Sequence, residues 1–503
     1  MYRAHAILST RATLVVVLIL VPAALVCATE FPQLPAARLE TSNSHLFATE
    51  LGGRVTARSI PLDGKPAPVD LELRRLRVFA EDAKIVVHSE KTEWLEAPPN
   101  NLYFTGNVMG VERSRVFLTV REGGAIRGVV SAEGSLWIVS AVGRDTPLTS
   151  RKVAAGELKA SGRTFNCGAD EITPKGEGIF EYLVGNDDNS VASLVAGKQS
   201  ASYTARVAVE TDWEFFQIFG NTSDAIDYVG DLIGYASGIY GDEVDTTLVV
   251  QEVSIWTTSS DPWDEMSTIC GLFEFGQYWN HHNGDVNRTI AHFMSGKSLG
   301  GGIAWTGVLC SAAFNPAPWG YTPSALGCST LTPDSDFYGG GYGFTANITG
   351  GFDPSSPSPV WDIISVTHEI GHNFNSPHTH CFKNIGGNVN PVDECYAGDE
   401  CVQDPGSCNC NTPKLPCSQP GSGCGTIMSY CHMLSGGFSN ISLTLGEGHS
   451  YGVQPERVPA RMSSHVISVA SSNPSCLAFT ENDSIFTDDL ESGGTETWSS
   501  TVP

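Results

Sequence analysis

Alternating apolar and polar positions predict that residues 29–200 are built mainly from β-strands. The run Leu102–Val139 alternates between glycine-bearing turns, as the strands of a meander with one buried face do. Beyond residue 200, strand-like runs alternate with helical ones: strands at 203–211, 246–256 and 288–294, and helices at 223–240 and 271–280. Strands joined by crossover helices are typical of an α/β layer structure, so we expect the fold class to change near residue 200.

A further helical run, from Trp361 to His378, carries the residues with the clearest chemistry. Four apolar residues recur at helical spacing and are expected to anchor one face in a core: Ile363, Val366, Ile370 and Phe374. His368 and His372 are four positions apart on another face, so both imidazoles can point at one atom. Three neutral imidazoles and a water complete a catalytic zinc site, and Glu369 is placed to act as the general base.

The third zinc ligand requires the chain to leave this helix and turn back. His378 follows His372 by six residues, and Asn375 stands at the turn, where asparagine tolerates the left-handed backbone better than any residue except glycine. His380 is a competing third ligand. The alternative to a metal site is a helix that carries two histidines and a glutamate without a role. A third histidine at this distance disfavours that alternative.

A cysteine-flanked turn, CGTIMSYC at 424–431, strengthens the zinc interpretation. A lone methionine in a turn is usually core filler, but Met428 follows an extended HExxH pattern. The two patterns together resemble the metzincin zinc endopeptidases, whose Met-turn lies beneath the zinc ligands and which carry glycine at the position of Asn375. Within that family the chain is most similar to the adamalysin/reprolysin branch and its bacterial secreted members.

The resemblance implies a fold class and residue roles. The expected fold is an α/β (α+β) metzincin catalytic domain with a mixed sheet and an active-site helix, preceded by a β-rich prodomain. The zinc ligands of the family correspond to His368, His372 and His378, and only His378 has the family spacing for the third ligand. Tyr430 matches a tyrosine that stabilises the transition state in astacin-type members, a role that is not general in adamalysins.

Two further expectations follow from the resemblance. Residues 303–305, after a run of glycines, resemble the edge strand that pairs with an extended peptide substrate through its backbone. Glu210, on the first strand of the expected catalytic domain, is a candidate ligand of a structural Ca²⁺, as in some relatives. The alternative for Glu210 is a solvated strand carboxylate.

Charge and the N-terminus indicate an exported protein. The formal net charge of −26 argues against nucleic acid or an anionic membrane as partner. Residues 1–28 have the parts of a signal peptide: a positive start, the apolar run Leu14–Leu25 and a small-residue cleavage site. Cys27 offers a lipoprotein alternative, which Val26 before it disfavours. No later segment is apolar enough to span a bilayer, and we expect a secreted, extracellular monomer that acts on proteins or peptides.

Cysteine parity singles out Cys167. Of fourteen cysteines, the loss of Cys27 leaves thirteen, and twelve of these lie between Cys270 and Cys476, enough to pair among themselves in an oxidising compartment. In related zymogens a prodomain cysteine fills the open zinc position as a cysteine switch, and Cys167 is similarly placed. The alternatives are an unpaired thiol, a link between two chains, or a bridge to a retained Cys27. A second zinc site is an alternative to disulfides in the cysteine-rich loop before the Met-turn.

The sequence therefore divides into four predicted parts: a signal peptide (1–28), a prodomain with the candidate switch (29–200), a zinc metalloprotease domain (201–480), and a disordered tail or the start of a linker (481–503). Activation cleavage is expected between residues 171 and about 200. The predicted function is a secreted zinc-dependent endopeptidase made as a latent zymogen. The rival function is a catalytically silent, disulfide-rich binding or adhesion module on the same fold, which the intact Glu369 disfavours. For residues 29–200, the alternative to a prodomain is an ordinary β-sandwich binding module.

Overall fold

The computed structural model describes residues 44–144, 146–153, 166–167, 201–328, 330–351, 359–396 and 412–479. The expected signal peptide, the segment expected to be cleaved on activation and the C-terminal tail lie outside these residues. Within the described ranges, no helix has both the length and the apolar character needed to cross a bilayer.

The region before residue 154 is rich in β-structure, as its alternating pattern predicts. A short helix, α1, precedes nine strands: α1 (Ser44–Ala48), β1 (Arg54–Ile60), β2 (Val69–Leu76), β3 (Phe79–His88), β4 (Glu93–Glu96), β5 (Leu102–Val108), β6 (Arg115–Val120), β7 (Ile126–Ala132), β8 (Ser135–Ala141) and β9 (Thr149–Lys152). Seven of these strands form an antiparallel sheet, here called the N-terminal sheet, in the order β1-β2-β5-β6-β7-β8-β9. The predicted meander corresponds to β5 to β8, which pair in sequence.

The central sheet is mixed and has nine strands. The remaining elements are β10 (Asn166–Cys167), β11 (Tyr203–Thr211), α2 (Trp213–Phe219), α3 (Thr222–Glu243), β12 (Thr246–Trp256), α4 (Thr268–His282), β13 (Ile290–Met294), β14 (Gly301–Ala304), α5 (Pro323–Leu326), β15 (Tyr342–Thr345), α6 (Pro359–Asn373), α7 (Arg457–Ser472) and β16 (Ala478–Phe479). The strand order is β10-β14-β15-β13-β11-β12-β3-β4, with β16 also paired to β11. Strand β14 is antiparallel to β15, whereas β15, β13, β11, β12 and β3 run parallel. The expected mixed sheet with crossover helices is therefore confirmed.

Two strands of the central sheet come from the part of the chain before residue 200. Strand β3 pairs in parallel with β12, from Phe79 opposite Val250 to His88 opposite Trp256, and β4 forms the outer edge. Local sequence patterns do not say which sheet a strand joins, because pairing is set by partners remote in sequence. The central sheet is therefore shared between segments on both sides of residue 200.

Helices cover both faces of the central sheet. On β11, Val207 and Val209 belong to the core that includes α3 and α6, whereas Ala208 belongs to the core that includes α4. A sheet buried on both faces explains why its strands are almost continuously apolar. Helix α3 begins one residue before the predicted start at 223, and its N-cap is Asn221, whose side chain accepts a hydrogen bond from the Asp224 amide.

Four disulfides are present in the described residues: Cys270–Cys328, Cys310–Cys476, Cys395–Cys431 and Cys417–Cys424. The second of these ties the segment after α7 to the segment after β14. Cross-links of this kind restrict the unfolded chain and fit an oxidising compartment. Three other cysteines of the cysteine-rich loop fall outside the described residues, at 401, 408 and 410.

Candidate active site

Helix α6 is buried on all sides and is fixed at both ends. The four apolar residues predicted to anchor it are each fully buried: Ile363, Val366, Ile370 and Phe374. Near its start, the Asp362 carboxylate accepts hydrogen bonds from the Tyr228 hydroxyl and from the amides of Thr349 and Gly350. Further along, the Tyr240 hydroxyl donates to the Thr367 carbonyl at 3.0 Å. The helix that carries His368 is therefore held rigidly in the core.

Asn375 makes the turn that brings the third histidine back to the helix. Its φ of 73° lies in the left-handed region, as expected for the residue that replaces glycine here. Its amide donates to the His372 carbonyl at 2.8 Å, and Arg461 on α7 donates to both its carbonyl and its side-chain oxygen, at 2.7 and 3.1 Å. The arginine thus holds the turn from outside the motif.

The three imidazoles meet at their Nε2 atoms. The Nε2 of His368 lies 3.2 Å from that of His372 and 3.1 Å from that of His378. The Nδ1 of His368 donates to the Ile427 carbonyl, and that of His372 donates to the Ser376 carbonyl, each at 2.7 Å. These bonds fix the tautomer in which both Nε2 atoms carry a lone pair. Burial lowers the pKa of all three imidazoles, to about 3 for His378.

This donor set fits Zn²⁺. Neutral imidazoles whose lone pairs converge repel one another unless a cation lies between them. A tetrahedral zinc sets ligand nitrogens about 3.3 Å apart, close to the separations of 3.1 and 3.2 Å. The Sγ of Cys167 completes a buried group of four with the three histidines, and one ligand atom from each lies within 4.8 Å of the others. His380 does not belong to this group; its ring stacks on that of His378 at 5.4 Å.

Glu369 lies against the backbone of β14. A Cβ on Gly302 would sit 2.5 Å from the Glu369 Oε1 atom, so only glycine leaves room for the carboxylate. The other oxygen, Oε2, is 3.4 Å from the sulfur of Cys167. The carboxylate therefore faces the same space as the three Nε2 atoms, and Gly302 sets how closely the edge strand approaches it.

Met428 packs under α6. A Cβ on Gly371 would lie 2.5 Å from the Met428 sulfur, so the glycine between the two helical histidines admits this side chain. The Met428 carbonyl accepts a hydrogen bond from the Thr379 amide at 3.1 Å, next to His378. The turn is thereby joined to the segment that carries the third histidine, as the resemblance implies for a Met-turn.

Cys167 and Tyr430 meet at the same place. The Cys167 sulfur is 3.2 Å from the Nε2 of His372, and the Tyr430 hydroxyl donates to the Cys167 carbonyl at 2.8 Å. Strand β10 pairs in parallel with β14, with Cys167 opposite Gly302. The tyrosine ring also lies 4.3 Å from that of His378. The edge expected to bind peptide is therefore occupied by the chain's own residues 166–167.

The expectation of Ca²⁺ at Glu210 finds no support. Its two carboxylate oxygens accept hydrogen bonds from the indole N–H groups of Trp256 and Trp279, at 2.8 and 2.9 Å. Glu210 is not solvated either, because only 1% of its surface is exposed. Burial raises its pKa to about 8. Calcium prefers several oxygen ligands, and among the described residues Glu210 belongs to no metal-binding group.

Sequence reasoning missed three residues that shape this site: Gly302, Gly371 and Arg461. The glycine run before residue 303 was visible, but nothing local shows that one of its members faces Glu369. Arg461 lies on a helix remote in sequence from the turn that it holds. Its role depends on the tertiary contact between α7 and Asn375.

Alanine at position 375 is expected to destabilise the protein by about 1–2 kcal/mol, because alanine lacks the short polar side chain that makes the left-handed region tolerable for asparagine. It also removes the side-chain acceptor of Arg461. Glycine at the same position is the matched control, since it relieves the strain and keeps the carbonyl. The midpoint of urea unfolding and the zinc retained after dialysis measure the effect. Equal values for the two variants would contradict the role given to the turn.

Comparison with known proteins identifies the family of this region. The family model Reprolysin_5, Metallo-peptidase family M12, matches residues 201–442. No curated protein matches the chain. Among solved structures 83 chains match. One, titled "Structure of a chaperone-substrate complex", has 9% identity and a TM-score of 0.24 over 63% of this chain and 45% of its own. This chain thus spans less than half of that structure, and the likeness carries no weight. Residues 201–442 are a reprolysin-like metzincin domain of the zinc-dependent metallopeptidase family M12.

Proposed function

We propose that this protein is a zinc-dependent endopeptidase that is exported as a latent precursor and cleaves extracellular proteins. One observation carries the proposal: the Nε2 atoms of His368, His372 and His378 converge beside the Glu369 carboxylate, at the edge of a sheet. The three histidines would hold Zn²⁺. Zinc in such a site is a Lewis acid that lowers the pKa of a water molecule and polarises a carbonyl group.

Substrate is proposed to bind along the edge of β14 that residues 166–167 cover in the uncleaved chain. An extended peptide that pairs with Gly301–Ala304 is held by its main chain, which makes binding tolerant of sequence, and side-chain pockets then select among peptides. The close approach of β14 to Glu369, permitted by Gly302, brings the scissile peptide bond beside the carboxylate. Orientation of this kind accounts for a large part of the rate enhancement of enzymes.

Glu369 is the proton carrier in the proposed mechanism. Its carboxylate takes a proton from the attacking water, and the water oxygen forms the new bond to the carbonyl carbon. The protonated carboxyl then gives that proton to the nitrogen of the leaving amine as the carbon–nitrogen bond breaks. One water is consumed, and one carboxylic acid and one amine are formed.

Tyr430 is proposed to donate a hydrogen bond to the carbonyl oxygen of the scissile bond. Its hydroxyl donates to a main-chain carbonyl, that of Cys167, at 2.8 Å and lies beside the three histidines. A peptide that replaces residues 166–167 at this edge presents a carbonyl to the same donor. A preorganised donor of this type stabilises the negative charge that develops on the oxygen.

Latency is proposed to arise from Cys167. Its thiolate is a better zinc ligand than water, and its sulfur lies within 3.4 Å of both Glu369 and His372. Strand β10 also covers the edge that a substrate needs. Substrate and residues 166–167 therefore exclude one another. Cleavage of the chain between residues 171 and about 200 is proposed to start activation.

Export and the division of the chain belong to the same proposal. The disulfides of the described residues, the expected signal peptide (1–28) and the absence of a membrane-spanning helix among the described residues all fit an extracellular protease. The prodomain is proposed to cover residues 29–200 and the protease domain residues 201–480. We expect a monomer.

The test is hydrolysis of denatured casein by the protein after cleavage between residues 171 and 200. Glu369→Gln keeps the shape of the side chain but removes the base, so activity is expected to fall by about 10²- to 10⁴-fold. A zinc chelator is expected to abolish activity, and added Zn²⁺ to restore it. No hydrolysis of casein or gelatin by folded, zinc-loaded protein would favour the silent binding module instead.

A further inference from the structure

We propose that residues 44–153, here called the N-terminal module, remain bound as a permanent, noncovalent subunit of the enzyme after the chain is cleaved between residues 171 and about 200. The inference rests on the proposed function only for that cleavage. It differs from the simple expectation that the first 200 residues are shed. Three independent contacts between the module and the rest of the protein carry it.

The first contact completes the central sheet. Strand β3 of the module covers one edge of β12, with parallel pairing from Phe79–Val250 to His88–Trp256. Loss of the module would leave β12, an eleven-residue and largely buried strand, as an exposed edge. Long apolar edges of this kind pair with other chains and aggregate, so proteins keep them covered. The protease domain is therefore incomplete without β3.

The second contact is a groove along α3 made of three glycines four residues apart: Gly230, Gly234 and Gly238. A Cβ on Gly230 would lie 2.8 Å from the Phe79 ring, and a Cβ on Gly234 would lie 2.9 Å from the Val78 side chain and 3.0 Å from the Phe117 ring. At Gly238 the close neighbour is the hydroxyl of Thr105, at 2.7 Å. Every one of these neighbours belongs to the module.

Glycine inside a helix is less favourable than alanine, so the three glycines weaken the intrinsic stability of α3. Close packing of the module offsets that cost. The aromatic rings above the groove are nearly buried and belong to the same continuous core as α3 and α6. Phe117 contacts Tyr235 of α3 edge-on, with ring centroids 5.3 Å apart. The surface of α3 is therefore complementary in shape to the N-terminal module.

The third contact is a buried ion pair. The Arg121 guanidinium of the module donates to the Asp231 carboxylate of α3 at 2.5 Å, and the Thr119 hydroxyl donates to the same carboxylate at 2.6 Å. Only 1% of Asp231 is exposed. Removal of one partner from such a pair leaves an uncompensated charge and is strongly destabilising. Departure of the module would remove both partners of Asp231 at once.

Residues 166–167 form a short strand. Among the residues that the structure describes on this segment, Asn166 and Cys167 pair with β14. Once the chain is cut after it, this short strand can leave β14 while the module stays in place. Activation then consists of Cys167 leaving the three histidines, and the N-terminal module is not lost.

The experiment replaces residues 185–191 with the recognition sequence of a site-specific protease and cuts the folded full-length protein. At about 1 µM, where only complexes with a much lower Kd survive gel filtration, both fragments are expected in one peak. Separation of the fragments under native conditions would overturn the proposal. The readout is association, so a failure of the proposed peptidase activity would leave it unaffected, and the reverse also holds.

A matched pair of variants tests the groove. Gly230→Ala places a methyl group against Phe79, whereas Gly241→Ala lies on the same helix with open space at its Cβ. In the cut protein, exchange of the bound module for a labelled copy is expected to be about tenfold or more faster for Gly230→Ala than for Gly241→Ala. Equal exchange rates in the two variants would contradict the assignment of the groove as the anchor.

Discussion

Serine at position 167 is expected to make the uncleaved protein an active peptidase. The hydroxyl of serine is a much weaker zinc ligand than a thiolate, so the closed arrangement loses its strongest contact. A contact that favours the closed arrangement by about 2.7 kcal/mol keeps all but about 1% of molecules closed. Its loss therefore raises the activity of uncleaved protein by at most about a hundredfold. Hydrolysis of a fluorogenic peptide by uncleaved wild type and variant measures this gain.

The double variant Cys167→Ser, Glu369→Gln is the control. It is expected to hydrolyse no peptide, because it lacks the general base. The Tyr430 hydroxyl and the pairing of β10 with β14 persist in the serine variant. Complete activation therefore still requires cleavage. The uncleaved serine variant could prove as inactive as the uncleaved wild type, while both become active on cleavage. Latency would then arise from the covered edge of β14 alone.

Alanine at position 302 is expected to lower kcat/KM by about a hundredfold, since a misplacement of about 1 Å at a reacting group can cost that much. The added Cβ would overlap the Glu369 carboxylate at 2.5 Å, so either the carboxylate or β14 must move. The histidines are not displaced directly, and zinc content is expected to stay unchanged. Kinetics on the cleaved protein, with zinc determined in the same sample, measure both quantities.

Gly284→Ala is the matched control for this substitution. A Cβ at position 284 meets its first neighbour only at 3.9 Å, and the site is remote from Glu369. Its kinetics are expected to equal those of the unmodified protein. If Gly302→Ala leaves kcat/KM unchanged, Glu369 does not need the close approach of β14 that the mechanism assumes.

Local chemistry was predictable from the sequence. His368 and His372 are related by one helical turn, and Asn375 and His378 follow within a few residues, so chain geometry alone brings them together. Cys167 could be singled out by counting cysteines. The strand at 203–211 and the strand at 246–256 were predicted with the bounds that the structure has, because both are apolar runs between clear turn or helix signals.

Contacts that depend on tertiary packing were not predictable. Glu210 was expected to be solvated or to bind calcium, but it is buried between two indoles from β12 and α4. The approach of Gly302 to Glu369 joins segments that the sequence does not relate. The same holds for the pairing of β3 with β12. The sheet that a strand joins, and the contacts between distant residues, depend on the packing of segments that are remote in sequence.

The pairing of β3 with β12 also governs how the protein folds. Strand β3 is made early in synthesis, but its partner follows only after the whole N-terminal sheet and the first long helix have been translated. At 5–20 residues per second that delay is on the order of ten seconds or more. Pairing between distant segments is slow because the conformational entropy of the intervening loop is lost before the contacts that stabilise the pairing can form. An apolar strand thus stays without its partner through much of synthesis, and during that time it can pair with the strands of other chains.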